Sequence, residues 1–261
     1  MKRHGVGLRG CRMLETHLAG GKVRLAHLVQ YSDGMKSLMF VCGAYVYASV
    51  TLARQARVLE IGGGPDPHPA ADVIVEKYLD DNRHRAAGAA PMLGGNLMVA
   101  DGKNEWRMAG AYRPTVVEAD VCSMPMFADG EFDFAIAKDV LEHVPDVRAA
   151  CAELSRVARG GFVDVPRVES EWLFPMPPGV HRWVFTRRGD TLVAHAKEFL
   201  SPFGGIMHRL FGENEDLRDA WAQSRHYFHL AFLWTGGLKC EVGPPAKMGN
   251  INFGGLAGAT G

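Results

Sequence analysis

Three glycines followed by prolines interrupt an apolar segment of the chain, in the sequence VLEIGGGPDPHPAADVIVE that begins at residue 58. Glycines let a bound ligand approach the backbone closely. A dinucleotide site would follow them with a helix whose N-terminus faces the pyrophosphate. Here Pro65, Pro67 and Pro69 remove backbone donors and disfavour helix at the residues before them. The segment therefore predicts a ligand loop that is poorly suited to phosphate.

Acidic residues accompany this loop and follow the next apolar runs. Glu60 and Asp66 flank the glycines, where they would repel a pyrophosphate and attract a cation. Glu76 ends the second apolar run and Asp120 follows the third, at places that suit ribose hydroxyls and an adenine amino group. The combination indicates S-adenosylmethionine, which has no phosphate and carries a sulfonium, an ammonium group and a ribose.

Short runs rich in Val and Ile position these residues, and such runs are typical of buried parallel strands. The runs are RVLEI (57–61), DVIVE (72–76), TVVEA (115–119), FDFAIA (132–137) and GFVDV (161–165). The apolar residues of VRAACAELSRVAR (147–159) share one helical face. Strands that alternate with helices predict a doubly wound α/β sheet, whose ligands bind beyond the carboxyl ends of the strands.

The remaining segments suggest two domains. Residues 1–54 are predicted to be an N-terminal helical cap, in which Asp33 is the N-cap of the last helix. Residues 55–261 are predicted to form the main domain, with insertions at about 79–113 and 167–224. Within the second insertion and after it, we expect two strands around a Gly-Asp turn, a helical stretch and two closing strands: 181–195, 206–223, HYFHLAFLW and LKCEVG.

Composition limits the partners and the compartment. The 261 residues include 29 Lys+Arg and 29 Asp+Glu, so nucleic acid is not the expected partner. The five cysteines are scattered without a CxxC pair, which predicts neither a metal site nor disulfides and fits a reducing cytoplasm. The uncharged stretch Ser37–Ala53 is short for a membrane span, and we interpret it as a buried helix.

Three segments together resemble the class I S-adenosylmethionine-dependent methyltransferases, specifically the methyltransferase-11-like group. These segments are VLEIGGGP, EADVCSMPMFADGEFDFAIAKDVLEHVPD and AELSRVARGGFVDVP, within roughly residues 55–166. The resemblance implies a Rossmann-like, mostly parallel seven-stranded sheet. It also implies S-adenosylmethionine as cofactor and S-adenosylhomocysteine as product.

The resemblance further implies a set of cofactor-binding residues at the ends of the first four strands. They are Glu60, Gly62, Gly63 and Gly64 at the methionine moiety, Glu76 at the ribose, Asp120 and Val121 at the adenine, and Lys138 on the sulfonium side. Asp66 replaces the third glycine of the usual GxGxG pattern, and PDPHPAA replaces the usual crossover helix. Arg83 or Arg85 is then a candidate partner for the methionine carboxylate.

Candidate catalytic residues follow the fourth and fifth strands. Methyl transfer is an in-line displacement that needs alignment, and a base when the acceptor is protonated. Asp139 and His143 are expected to share a helical face, and His143 is the first candidate base because an imidazole titrates near neutral pH. His181, which precedes Trp183, is the second. Alternatively, the LEHV segment only packs and orients the loop, and His181 is an ordinary loop histidine.

A rim of acids near these strand ends favours a small amine-bearing or polyhydroxylated substrate such as an amino sugar. The acids are Asp139, Glu142, Glu169 and Glu171. We therefore expect methyl transfer to an O or N of a small molecule such as a sugar, amino sugar or other natural product. The alternatives are an inactive methyltransferase-like binding subunit and an RNA methyltransferase, the latter because RWVFTRR is basic and aromatic. A nicotinamide-dependent oxidoreductase conflicts with the prolines and acids of the loop.

Overall fold

A computed structural model describes residues 28–42, 45–63, 67–78, 98–99, 106–107, 114–176, 179–199, 201 and 204–247. In chain order the elements are β1 (Leu28–Ser32), β2 (Met35–Cys42), β3 (Tyr45–Ala53), β4 (Val58–Ile61), β5 (Val73–Glu76), β6 (Met98–Val99), β7 (Trp106–Arg107), β8 (Thr115–Glu118), β9 (Phe134–Lys138), α1 (Val147–Val157), β10 (Gly160–Pro166), α2 (Val168–Leu173), β11 (Trp183–Arg188), β12 (Thr191–Ala196), α3 (Gly204–Glu213), α4 (Glu215–Phe228), β13 (His229–Thr235) and β14 (Cys240–Val242).

The central sheet has the strand order β13-β10-β9-β4-β5-β8. Five of its strands are parallel, and β13 runs antiparallel to β10. Every residue of β4, β5 and β10 is buried, which explains why these strands appear in the sequence as continuous apolar runs. The predicted mostly parallel α/β sheet is confirmed, with six strands rather than seven among the described residues.

Helix α1 makes the crossover from β9 to β10, as its apolar periodicity predicts. The side chain of Asp146 caps its N-terminus by accepting a hydrogen bond from the backbone N–H of Ala149. Its inward face packs Val147, Cys151 and Leu154 against the sheet, all of them buried. This crossover therefore follows the helical pattern of an α/β fold.

The prediction of a helical cap is wrong for the described part of residues 1–54, because β1, β2 and β3 form an antiparallel meander there. Asp33 lies in the turn between β1 and β2 instead of capping a helix, and Gly34 beside it has φ 71°. Buried and partly exposed residues alternate along β2 and β3, which is the period of a strand with one covered face. Residues 1–27 lie outside the described part of the chain.

The meander covers one face of the central sheet. The side chains of Phe40 and Phe162 stack there with ring centroids 3.8 Å apart. Leu38, Val50 and Leu52 join the same buried cluster. The stretch Ser37–Ala53 is thus uncharged because it is a packed strand pair, and the buried helix expected there is wrong. Among the described residues, no helix is long and apolar enough to cross a membrane.

The segment between β10 and β13 contains the second predicted insertion. Its hairpin β11–β12 turns at Gly189, with φ 61°, as predicted from the Gly-Asp pair. The predicted helical stretch is confirmed as α3 and α4, and HYFHLAFLW closes the central sheet as β13. LKCEVG instead contributes β14 to a separate sheet of order β11-β12-β14, where β14 runs parallel to β12. Of the first predicted insertion, residues 79–113, the structure describes only β6 and β7.

Candidate functional site

The glycine loop leaves β4 at the carboxyl edge of the sheet. Gly62 has φ 63°, a conformation that favours glycine, and its N–H donates to the carbonyl of Val75 over 2.8 Å. A Cβ at Gly62 would lie 2.8 Å from Cγ2 of Val140, and one at Gly63 would lie 2.9 Å from Cβ of Pro67. A side chain at either position would collide with a neighbouring residue, so both positions require glycine. Gly64 and Asp66 lie outside the described residues, as do Arg83 and Arg85.

Glu60 stabilises this loop from within. Its side chain is buried, and its Oε2 accepts a hydrogen bond from the backbone N–H of His68 over 2.7 Å. A carboxylate that holds the far end of the loop fixes the path that the glycines take. Glu60, which the sequence predicts to bind the cofactor, therefore also stabilises the conformation of the loop.

His68 anchors the loop to the meander. Its Nδ1 accepts the backbone N–H of Ala70 over 3.1 Å, and its ring lies 5.2 Å from that of Phe40. Burial lowers the pKa of the imidazole from 6.5 to about 3. The sequence predicts no crossover helix in this stretch, and the neutral His68 instead holds it against the meander. Residues 67–72 contain no helix, as the prolines predict.

The acids predicted for ribose and adenine lie at adjacent strand ends. Glu76 ends β5 and is buried, while Asp120 follows β8 and is partly exposed. Nζ of Lys77 lies 2.8 Å from Oδ2 of Asp120, and Asp120 Oδ1 accepts the N–H of Cys122 over 2.9 Å. Burial works to raise the pKa of Asp120, but Lys77 and the Cys122 N–H outweigh it and lower the pKa. The carboxylate is therefore ionised and oriented to accept.

Lys77 contacts the predicted site residue Asp120, and the sequence reasoning missed it. Its hydrogen bond to Asp120 is the largest cause that raises the pKa of the ammonium group. The sequence feature that could have identified Lys77 is its position directly after Glu76, at the end of β5, which neighbours β8. Val121 beside this pair has a buried side chain, so only its backbone is suited to an adenine contact.

The loop after β9 carries the predicted catalytic residues. Lys138 ends β9, and Asp139 follows with φ 54°, the only positive φ of a non-glycine residue in the described ranges. Its N–H donates to the carbonyl of Asp164 over 2.9 Å, which holds this uncommon conformation. The expected helical face shared by Asp139 and His143 is wrong, because residues 139–145 contain no helix and only 141–143 form a turn.

His143 meets His181, which lies 38 positions later in the sequence. Their ring centroids are 4.6 Å apart in an edge-to-face arrangement. The backbone N–H of Arg182 donates to the carbonyl of Glu142 over 2.7 Å, and the indole of Trp183 donates to the carbonyl of Val144 over 2.8 Å. The HRW segment thus holds the LEHV turn in place, and the structure brings both candidate histidines together.

The predicted acidic rim is wrong for two of its four members. The side chains of Glu142 and Glu171 are each 1% exposed. Glu171 accepts a hydrogen bond from Nδ1 of His181 and forms an ion pair with Lys197. Burial works to raise its pKa, but these two partners outweigh it and the pKa is lowered. Glu171 is therefore an ionised anchor for His181 rather than a surface for substrate.

A second polar cluster at the same sheet edge was not predicted. The hydroxyl of Tyr47 donates to Oδ2 of Asp164 over 2.8 Å. Nδ1 of His229 lies 3.3 Å from Oδ1 of Asp164 and 3.7 Å from Oδ1 of Asp139. The sequence showed Asp164 as the one charged residue in the apolar run GFVDV. Its partners could not be predicted, because Tyr47 lies on β3 and His229 lies on β13.

One family model matches part of the chain. Residues 94–163 match a family model described as a methyltransferase domain. The resemblance to S-adenosylmethionine-dependent methyltransferases is confirmed by this match, which includes Asp120, Lys138 and His143. Glu60 and His181 lie outside it. No curated protein matches the chain.

Several solved structures overlap with part of the chain. A methyltransferase from Thermotoga maritima, described as a possible histamine N-methyltransferase, is 20% identical over 44% of this chain and 46% of its own, with a TM-score of 0.30. The YcgJ protein from Bacillus subtilis is 16% identical over 51% and 64%, with a TM-score of 0.34. An arsenic(III) methyltransferase from Chlamydomonas reinhardtii is 17% identical over 43% and 39%, with a TM-score of 0.30. The chain thus spans less than two thirds of each of these proteins.

Proposed function

We propose that this protein is an S-adenosylmethionine-dependent methyltransferase that transfers the methyl group to an oxygen or nitrogen of a small molecule. A sugar, an amino sugar or another natural product is the proposed acceptor. The observation that carries the proposal is the arrangement at the ends of β4, β5 and β8. There a close-approach glycine and two carboxylates follow three adjacent parallel strands.

Each part of this edge matches one part of the cofactor. Gly62 opens the backbone next to β4, where the methionine moiety would lie. Glu76 at the neighbouring strand end supplies acceptors for the ribose hydroxyls. Asp120, held ionised by Lys77, accepts from the adenine amino group one strand further along. The order of these groups along the edge is the order of the three moieties in the cofactor.

The loop after β9 supports transfer to a protonated acceptor. Nδ1 of His143 lies 2.8 Å from the carbonyl oxygen of Val180, so Nδ1 carries the proton and donates it. In the neutral ring, Nε2 then carries the electron pair. Val140 of the same loop lies against Gly62, so the loop that carries Asp139 and His143 passes beside the glycine loop. His143 remains our candidate base, with His181 and Asp139 as neighbouring candidates.

Calorimetry with S-adenosylhomocysteine tests the cofactor assignment. We expect Asp120→Ala to weaken binding about 10-fold to 100-fold, because a hydrogen bond to a charged group contributes about 1.5 to 3 kcal/mol. The matched control is Asp190→Ala, which removes an exposed aspartate that also pairs with a lysine, Lys239. Equal affinities of the two variants would overturn the site assignment.

A substrate screen tests the acceptor. Methyl transfer from labelled S-adenosylmethionine should be detected with amino sugars or polyhydroxylated compounds. A clear preference for carboxylic acids or for RNA would contradict the proposed acceptor class. Cofactor binding without turnover on any class would support the inactive binding subunit instead, and tighter binding of NADH than of S-adenosylhomocysteine would support the oxidoreductase.

A further inference from the structure

Glu142, His143 and His181 form a cluster whose composition and geometry suit a metal ion. One ligand atom from each residue lies within 4.8 Å of the other two. Two imidazoles and one carboxylate are a ligand set used for zinc and other divalent transition metals. The sequence predicted no metal site, because its cysteines form no pair and His181 is distant from the other two ligands in the chain.

The hydrogen bonds of both histidines orient them as ligands. Nδ1 of His143 donates to the carbonyl of Val180 over 2.8 Å, and Nδ1 of His181 donates to the carboxylate of Glu171. In each neutral ring the electron pair therefore lies on Nε2. Metal-bound histidines characteristically donate their other ring N–H to a carbonyl or a carboxylate in this way. Both histidines of the cluster satisfy that condition independently.

The charges around the cluster also favour a cation. Glu171 and the buried ammonium group of Lys197 balance each other's charge, so this pair adds no net charge beside the cluster. The side chain of Glu142 is 1% exposed, and its Oε1 lies 3.9 Å from Nε2 of His143. A buried carboxylate beside two imidazole rings attracts a positive ion.

Backbone hydrogen bonds join the two segments that carry the three ligands. The N–H groups of Arg182 and Trp183 both donate to the carbonyl of Glu142, at 2.7 and 3.3 Å. This links the turn that carries Glu142 and His143 to the segment that carries His181. Ligands supported in this way are pre-positioned, which lowers the cost of ordering them around an ion.

We propose that Glu142, His143 and His181 bind one divalent transition-metal ion such as Zn²⁺. Ligands about 2.1 Å from a tetrahedral ion lie about 3.4 Å from one another, so small side-chain rotations close the site. Three protein ligands leave a coordination position for an oxygen of another molecule. On the proposed function, that molecule is the acceptor, whose hydroxyl would lose its proton more readily when bound to the ion. The ion would then replace His143 as the activating group, because Nε2 of His143 would bind the metal and could not act as the base.

Metal binding can be measured without any activity assay. The full chain is stripped with a chelator, titrated with Zn²⁺ or with Co²⁺, and analysed by elemental analysis and by the visible absorption of Co²⁺. We expect one equivalent of metal. His143→Ala and His181→Ala should each weaken binding at least 100-fold. His208→Ala, which removes an exposed histidine of α3, should leave binding unchanged.

One conservative variant guards against a folding artefact. Glu142→Gln keeps the size of the side chain and removes its charge, so affinity should fall while the thermal unfolding temperature of the metal-free protein is kept. Wild-type affinity in Glu142→Gln, or stoichiometry that falls equally in His208→Ala, would overturn the proposal.

The proposed function and the metal site fail separately. S-adenosylhomocysteine binding by the metal-free protein without any specific metal uptake would refute only the metal site. Specific metal uptake without S-adenosylhomocysteine binding would refute only the proposed function.

Discussion

The buried His68 makes the stability of the protein depend on pH in a way that can be calculated. Its pKa is about 3 in the folded chain and 6.5 when exposed, because burial disfavours the charged ring. Between these values the unfolded chain binds a proton that the folded chain does not. The free energy of unfolding must therefore fall as the pH falls below 6.5, down to about 3.

The magnitude follows from proton linkage. Each pH unit within this window costs up to about 1.4 kcal/mol, which amounts to about 2 kcal/mol between pH 7 and pH 5. His68→Asn removes this contribution, because asparagine does not titrate and its side-chain oxygen can still accept the N–H of Ala70. We expect the stability of wild type to fall by about 2 kcal/mol more than that of the variant over this interval.

Urea denaturation at several pH values measures the difference. The free energy of unfolding is extrapolated at each pH, and the slope with denaturant is compared to confirm the same unfolding transition. His208→Asn is the control, since it changes an exposed histidine on α3. The reasoning is refuted if His68→Asn and wild type lose stability in parallel between pH 7 and pH 5.

Three glycines and one helix cap provide further predictions. Gly62→Ala should weaken S-adenosylhomocysteine binding at least 10-fold in calorimetry, whereas Gly130→Ala, with a similar φ of 62° and open space around it, should cost only about 1 kcal/mol of stability. Gly161→Ala should destabilise by about 3 kcal/mol in urea, because its Cβ would lie 2.5 Å from a backbone oxygen of β9. Asp146→Ala should cost about 1 kcal/mol by loss of the α1 cap. A cost of Gly161→Ala below that of Gly130→Ala would contradict the packing argument.

Strands β4, β5 and β10 were predictable because every one of their residues is buried. RVLEI, DVIVE and GFVDV contain few polar residues, since a strand between two covered faces has no side that favours them. The helix α1 was equally clear from its apolar period and from Asp146 at its start. Local composition therefore identified most of the central sheet and its carboxyl edge.

The meander was mistaken for a helix because its local signals are ambiguous. The stretch from Ser37 to Ala53 is uncharged and contains alanines that favour helix. Its alternation of buried and partly exposed residues arises from packing on the face formed by Phe134, Ile136 and Phe162. That face is assembled from strands far along the chain, so tertiary packing outweighed the local helix propensity.

The sequence by itself determined the strands of the central sheet and the candidate residues at its carboxyl edge. Glu60 and Glu76 lie in the buried strands β4 and β5, Gly62 follows β4, and Asp120 follows β8. Parallel strands carry their terminal residues to the same edge. The tertiary structure alone decided which groups meet across long stretches of chain. His181 reaches His143 because backbone hydrogen bonds join two distant segments, and such contacts leave no periodic pattern in the sequence.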